Sequence, residues 1–237
     1  EERHCRMMVG NQVGALIVAS CGSETAHIKA ACGPTPVIFF GGKTGPEERY
    51  ALLCDYRSSA ARAVEYLTGL GHRDIALLTY EPENLTIRQK EEGFARAMRE
   101  RELAPRILRT GHAGDAIRAG MEVVERLAEG GALPTALWCA SDYMAIGAMN
   151  ALRRRGLSVP GDVSVMGHDD LYFDLYPDIS LTTFHTPMEE IGRAAVELAI
   201  ALMEGDGESE PDIELRRSFR PSLVVRGSTG PVKDGVE

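Results

Sequence analysis

DVSVMGHDDLYFDLYPDISLTT, residues Asp162 to Thr183, is the stretch that decides the fold. Its apolar run, Val163 to Met166, reads as a buried strand, and it stops at Gly167 and the turn residues His168, Asp169 and Asp170. Such a strand delivers two carboxylates to its C-terminal edge, and in open α/β sheets that edge is where ligands bind. Upstream, the run Thr135 to Ala140 ends in the same way, in Ser141-Asp142 before a helical stretch. Two polar strand ends of this kind imply a small-molecule site.

Outward from this stretch, strands and helices alternate. Glu1 to Val9 has helical character without a capping signal. Gly14 to Ala19 reads as a strand, Ser23 as the cap of a helix over Glu24 to Cys32, and Pro36 to Phe40 and Ala51 to Cys54 as further strands, the last delivering Asp55 and Tyr56. Ser58 opens a helix with Ala60, Ala63, Val64 and Leu67 on one face, ending at Gly71. Asp74 to Thr79, Pro105 to Leu108 and Thr135 to Ala140 read as strands. Arg88 to Arg101, Ala116 to Leu127, Tyr143 to Arg154 and Glu189 to Met203 read as helices. Ile213 to Leu215 and Ser222 to Val225 close the chain as late strands. Alternation of this kind predicts parallel sheets.

At 237 residues the chain is long enough for two lobes, and 44% apolar content is ordinary for a globular protein. The formal charge of -9 argues against a nucleic-acid surface built from these residues alone. The basic run Arg153-Arg154-Arg155 reads as charge placed against the negative end of a helix dipole. Cys5, Cys21, Cys32, Cys54 and Cys139 are odd in number and lack C-x-x-C spacing, so neither a disulfide framework nor a metal site is expected, and reduced thiols point to the cytoplasm. Neither a membrane-spanning apolar run nor a secretory leader is legible, and nothing calls for a cofactor. No nucleophile sits in a G-x-S-x-G setting and no P-loop occurs, so an enzyme is not expected.

Taken in order, Gly71-His72-Arg73 before the strand DIALL, Gly93-Phe94, Pro134-Thr135-Ala136, Ser141-Asp142, Ala145-Ile146-Gly147, Gly156, Val159-Pro160 and Val163-Ser164-Val165 form a pattern. It continues through Gly167-His168-Asp169-Asp170, Leu181-Thr182-Thr183, Gly192, Ala195 and the ending Leu223 to Thr229. This ordered set resembles the effector-binding core of the LacI/GalR family of bacterial transcription regulators. The resemblance implies a periplasmic-binding-protein-like α/β fold: two doubly wound parallel-sheet lobes with ligand in the cleft. The N-terminal lobe would comprise residues 1-60 and 187-218, the C-terminal lobe 61-186 and 219-232, and 233-237 a tail. It also implies a helix-turn-helix headpiece and a first strand-helix-strand upstream of Glu1. Without that strand the first sheet is expected to lack a central member. The partners implied are a small-molecule effector (a sugar, sugar phosphate or nucleoside-like molecule), operator DNA contacted through the headpiece, and a second copy of the chain as a homodimer. A solute-binding protein of an ABC transport system shares the fold and is the alternative.

The resemblance also nominates ligand contacts. Asp169 is the foremost, as an acceptor for ligand hydroxyls or amines, with a turn carboxylate as the bland reading; Asp170 reads as structural. Ser141 matches a polar contact, while Asp142 is either a contact or the cap of the next helix. Lys90 stands where the family has an Arg that forks onto ligand oxygens. Either the ligand lacks that oxygen pair, or Arg88 has taken the task, or Lys90 is a solvated surface side chain. Asp115, with His112 nearby, replaces an aromatic lid and reads equally as a loop cap. Thr186 matches a polar contact beyond LTT, Asp55 lies at a strand end, and Tyr56 offers a ring for a sugar face. His72 reads as stabilising the turn before its strand.

Overall fold

The computed structural model describes residues 1–19, 25–41, 48–81, 85–111, 113–172, 179–205 and 213–233. The chain folds as two compact units. One holds Glu1–Asp55 and Pro187–Arg220 together with Glu83–Thr86, and the other Tyr56–Pro82, Ile87–Thr186 and Pro221–Glu237.

In the first unit, β1 (Leu16–Ala19), β2 (Val37–Phe40), β3 (Ala51–Cys54) and β9 (Arg216–Phe219) form a parallel sheet in the order β1-β2-β3-β9. α1 (Glu2–Gly10) and α2 (Ala26–Cys32) bury Cys5, Ile28 and Cys32 against Leu16, Val37 and Phe39. α7 (Met188–Glu204) buries Ile191, Ala194, Ala195 and Leu198, the i, i+3, i+4, i+7 spacing of one helical face. The four described strands pair without a gap between them. One expectation is corrected here. The late strand is Arg216–Phe219 rather than Ile213 to Leu215. Its two arginines hide the apolar pattern that normally marks a strand, since Arg217 lies over the Phe219 ring and Arg216 donates to the Glu48 carbonyl.

In the second unit, β4 (Ile75–Tyr80), β5 (Arg106–Thr110), β6 (Ala136–Cys139) and β7 (Ser164–Met166) form a parallel sheet in the order β5-β4-β6-β7. β8 (Thr183–His185) pairs antiparallel with β10 (Ser222–Val224). The central strands are buried on both faces, which is why they read as continuous apolar runs. Successive side chains still divide between two cores. Leu77, Trp138 and Met166 pack under α3 (Tyr56–Gly69) and α4 (Leu85–Arg99) with Val64, Leu67, Phe94 and Phe184. Leu78, Leu137 and Val165 pack under α5 (Ala116–Glu129) and α6 (Asp142–Arg154) with Val124, Met144 and Leu152. α3 begins at Tyr56 rather than at Ser58, whose neighbour Ser59 donates its hydroxyl to the Tyr56 carbonyl inside the first turn.

Cys5, Cys32, Cys54 and Cys139 are buried. Cys21, the expected cap Ser23 and His112 lie outside the described residues. Among the described residues no helix is long and apolar enough to cross a membrane, and no group of His, Cys, Asp or Glu is placed to hold a metal ion.

Candidate functional site

The C-terminal ends of β4, β6 and β7 bring Tyr80, Ser141, Asp142 and Asp169 to one edge of the second unit's sheet. Asp142 anchors that edge. Fully buried, it accepts from Thr183 Oγ1 at 2.6 Å and from the Leu171 amide at 3.1 Å, and its own amide donates to the His168 carbonyl at 2.9 Å. Cutting away one partner of such a buried carboxylate is strongly destabilising, so its role is to hold the strand ends in place. The cap of α6 is Ser141, not Asp142: the Ser141 hydroxyl accepts from the Met144 amide at 3.4 Å and lies 3.3 Å from the Tyr80 phenol. Burial pushes the Tyr80 phenol up from its ordinary pKa, with Ser141 pulling the other way and the charge of Asp169 adding to the rise. Tyr80 was missed in the sequence, although the rule that singles out Asp169 and Ser141, a polar side chain at a strand's C-terminal end, applies to it equally.

Asp169 and its neighbour Asp170 differ sharply. Asp170 is bound by Arg226 Nη2 and by His185 Nδ1 at 3.0 Å, while Arg226 Nη1 donates to the Leu181 carbonyl at 2.8 Å. That is a closed structural network. Asp169 holds its backbone at φ 125, a region costly for any residue with a Cβ, fixed by donation of its amide to the Phe184 carbonyl at 2.9 Å. Its carboxylate is 41% exposed and lies 3.2 Å from His168 Nδ1, and among the described residues no Lys or Arg pairs with it.

Behind Asp169, His168 is fully buried. Its ring stacks on Phe184 at 5.5 Å between centroids and meets Tyr56 at 5.5 Å. Burial above all, then the positive charge of Lys90, pushes His168 down to about 4 against the pull of Asp169, so the ring is neutral at physiological pH. Lys90 is not a solvated side chain. It is 3% exposed, donates from Nζ to the Ala140 carbonyl at 2.7 Å and lies 5.0 Å from the centre of the Tyr56 ring. Its unbranched stem carries the ammonium inward to that carbonyl. Lys90 thus lies over the Tyr56 ring, which His168 meets at a tilt and which stays partly exposed.

The remaining nominees are dispersed. Thr186 follows β8 with its hydroxyl buried and without a hydrogen-bond partner among the described residues. Arg88 is exposed on the early part of α4. Asp115 caps α5 by accepting from the Arg118 amide at 3.0 Å, and it lines a separate hollow of about 350 Å³ with Arg109, Arg118, Glu122 and Arg126. Asp55 belongs to the first unit, where Arg220 Nε lies 3.8 Å away.

Residues 64–229 match the family described as the periplasmic binding protein-like domain. Over 233 residues the chain is 30% identical to the HTH-type transcriptional repressor PurR of Glaesserella parasuis, covering 96% of this chain and 68% of that protein. A dimeric Lac repressor with an 11-residue C-terminal deletion superposes with a TM-score of 0.86 at 25% identity, covering 98% of this chain and 83% of that one. A sugar-binding transcriptional regulator of the LacI family from Escherichia coli, complexed with phosphate, superposes with a TM-score of 0.82 at 26% identity over 97% of this chain and 82% of that one.

Proposed function

We propose, from the premise that this chain belongs to the periplasmic-binding-protein-like family as the effector-binding core of a LacI/GalR-type transcriptional regulator, that Asp169 is the primary contact for a small-molecule effector. The observation that carries the reading is the contrast between the two carboxylates of the His168-Asp169-Asp170 turn. Asp170 is closed off by Arg226 and His185, while Asp169 is held at a strained φ of 125 with its carboxylate partly open. Such strain persists only where the surroundings impose it, and functional sites are where it concentrates. An ionised carboxylate beside the Tyr80 and Ser141 hydroxyls suits a ligand rich in hydroxyl or amino donors. Sugars and related metabolites are that class, and the Escherichia coli relative is itself described as sugar-binding.

Effector binding then changes operator affinity through a helix-turn-helix headpiece, in a homodimer acting in the cytoplasm. Coupling of this kind requires the effector to bind the operator-competent and operator-incompetent states unequally. A two-fold dimer matches a pseudo-palindromic operator.

The test is a thermal-shift screen of the purified chain against sugars, amino sugars, sugar phosphates and nucleosides. A ligand present at a hundred times its Kd stabilises by about 2.7 kcal/mol, a clearly measurable shift. The expected hit disappears in Asp169→Ala; a hit that survives that substitution places the effector elsewhere and overturns the reading.

A further inference from the structure

α1 and α2 pack side by side over β1 and β2, and two thiols stand where the helices meet. Cys5 is the one residue of α1 that is buried, and Cys32 is the last residue of α2, one turn on from the buried Ile28. Cys5 is 5% exposed and Cys32 1%, both stand as unbridged thiols, and Cys32 is hydrogen-bonded to Cys5. Burial above all, then the charge and the hydrogen bond of Cys5, pushes the Cys32 thiol up to about 11. Cys32 is therefore the thiol of the pair that keeps its proton and donates, and the Cys5 sulfur is the acceptor. As small hydrophobes the two side chains would need only contact. Here the sulfurs of two separate helices face each other.

α1 is lightly held. A helix of nine residues has little stability of its own, and this one buries a single side chain, with Val9 half-buried beside it. Segments with so few buried contacts open locally at far lower cost than the whole fold, and each opening of α1 carries Cys5 to solvent. A small neutral oxidant reaches the sulfur in that interval, and reclosure returns it to Cys32.

We propose that Cys5 and Cys32 are a reversible oxidation site, which hydrogen peroxide converts to a disulfide tying α1 to α2. The Cys5 sulfur attacks one peroxide oxygen and the O–O bond breaks. The other oxygen takes the proton that Cys5 gives up and leaves as water, so Cys5 becomes a sulfenic acid. The Cys32 sulfur then attacks the Cys5 sulfur, the S–O bond breaks, and the hydroxyl leaves as water with the Cys32 proton. The two thiols lose two electrons in all, one peroxide accepts them, and two waters form. Once Cys5 is oxidised it no longer opposes ionisation of Cys32 by its charge. A thiol reductant restores the pair by exchange. While the disulfide stands, α1 is held to α2 by a covalent bond in place of a single buried contact.

The test treats the whole reduced chain with hydrogen peroxide at neutral pH, blocks the remaining thiols by alkylation, and maps the product by non-reducing proteolysis and mass spectrometry. The expected product is a peptide pair joined through Cys5 and Cys32, two hydrogens lighter than its reduced parts and released by dithiothreitol. Cys139, fully buried and with its thiol pushed far up by that burial, is expected to stay reduced. In Cys32→Ser the reaction should stop at a Cys5 sulfenic acid that dimedone captures, and in Cys5→Ser the Cys32 thiol should survive. Amide hydrogen exchange in α1 should slow at least tenfold on oxidation and recover with dithiothreitol. Both thiols intact in the treated chain, Cys5 driven to a sulfinic acid with Cys32 still alkylatable, or mixed pairings like those formed in urea overturn the proposal. Exchange in α1 that is unchanged across a formed disulfide overturns the tie between the helices. Should Cys5→Ser or Cys32→Ser fail to fold, the wild-type map decides alone.

Discussion

Two Gly-His dipeptides flank the second unit's sheet, Gly71-His72 ahead of β4 at its N-terminal end and Gly167-His168 after β7 at its C-terminal end. Both histidines are buried and both have their pKa lowered, chiefly by burial. Their partners differ. His72 places Nδ1 3.0 Å from Thr135 Oγ1, and Nε2 3.1 Å from Ser164 Oγ and 3.0 Å from the Gly230 carbonyl. These are neutral groups on three separate segments. The ring pins the chain's late residues to the starts of β6 and β7, and nothing there is free to change. His168 has a partly exposed carboxylate on one side and a hydroxyl with two competing acceptors on the other. A histidine among neutral, buried partners is a rivet; one beside an open carboxylate can report on that carboxylate.

The glycines differ in the same sense. Gly71 sits at φ 91, so the backbone itself demands glycine. At Gly167 the demand is space, because a Cβ would stand 2.1 Å from Asp142 Oδ1 and 2.9 Å from Leu181 Cδ2. The largest effect that separates the two ends is therefore Gly167→Ala. It displaces the Asp142 carboxylate from Thr183 and Leu171 and is expected to cost about 4 kcal/mol in urea denaturation, overpacking compounded by a disrupted buried carboxylate. A cost below about 1 kcal/mol would mean that Asp142 does not organise the edge.

Next in size is pH. With an ordinary value of 6.5 and a folded value of about 4, His168 binds its proton less readily in the folded chain than in the unfolded one. Its contribution is complete above about pH 6.5 and is lost as pH falls towards 4, on the order of 3 kcal/mol over that window. His72 is shifted in the same direction and adds to the loss. Replacing His168 with Phe keeps the stacking on Phe184 and Tyr56 while removing the titration. Stability measured from pH 7.5 to 4.5 should then fall less steeply than in the wild-type chain, and an unchanged slope would show that His168 stays neutral for no energetic reason of its own.

Why the two ends were unequally legible in the sequence follows from the same chemistry. The strands β4, β6 and β7 announce themselves as apolar runs, because burial on both faces admits little else. Asp169 and Ser141 could be nominated because a polar residue at the end of such a run stands at the edge where ligands bind in open α/β sheets. Lys90 was misjudged in one of its readings because sequence gives residue type but not direction, and a flexible stem can bury an ammonium under a carbonyl. His168 was passed over as a turn residue for a related reason: its partners Ser59 and Phe184 come from distant segments that only the fold brings together. β9 was displaced by a few residues because its arginines mask a strand whose pairing partner, β3, supplies the apolar face.

The smaller effects belong to the N-terminal end. His72→Leu fills the same space but removes the ring's hydrogen bonds, while Thr135 keeps its bond to the Asp74 carbonyl and Ser164 its bonds to Gly230, and is expected to cost about 1.5 kcal/mol. Gly71→Ala should cost about 1 kcal/mol, from the positive φ and a 3.0 Å approach to Val232 Cγ1, a side chain able to give way. Neither substitution touches the Asp169 edge, so in each the affinity for any effector should match the wild-type chain once the folded fraction is accounted for. That equality tests the distinction itself: if loosening His72 changed the affinity at the Asp169 edge, the sheet would be transmitting between its ends, and the two histidines would be parts of one device.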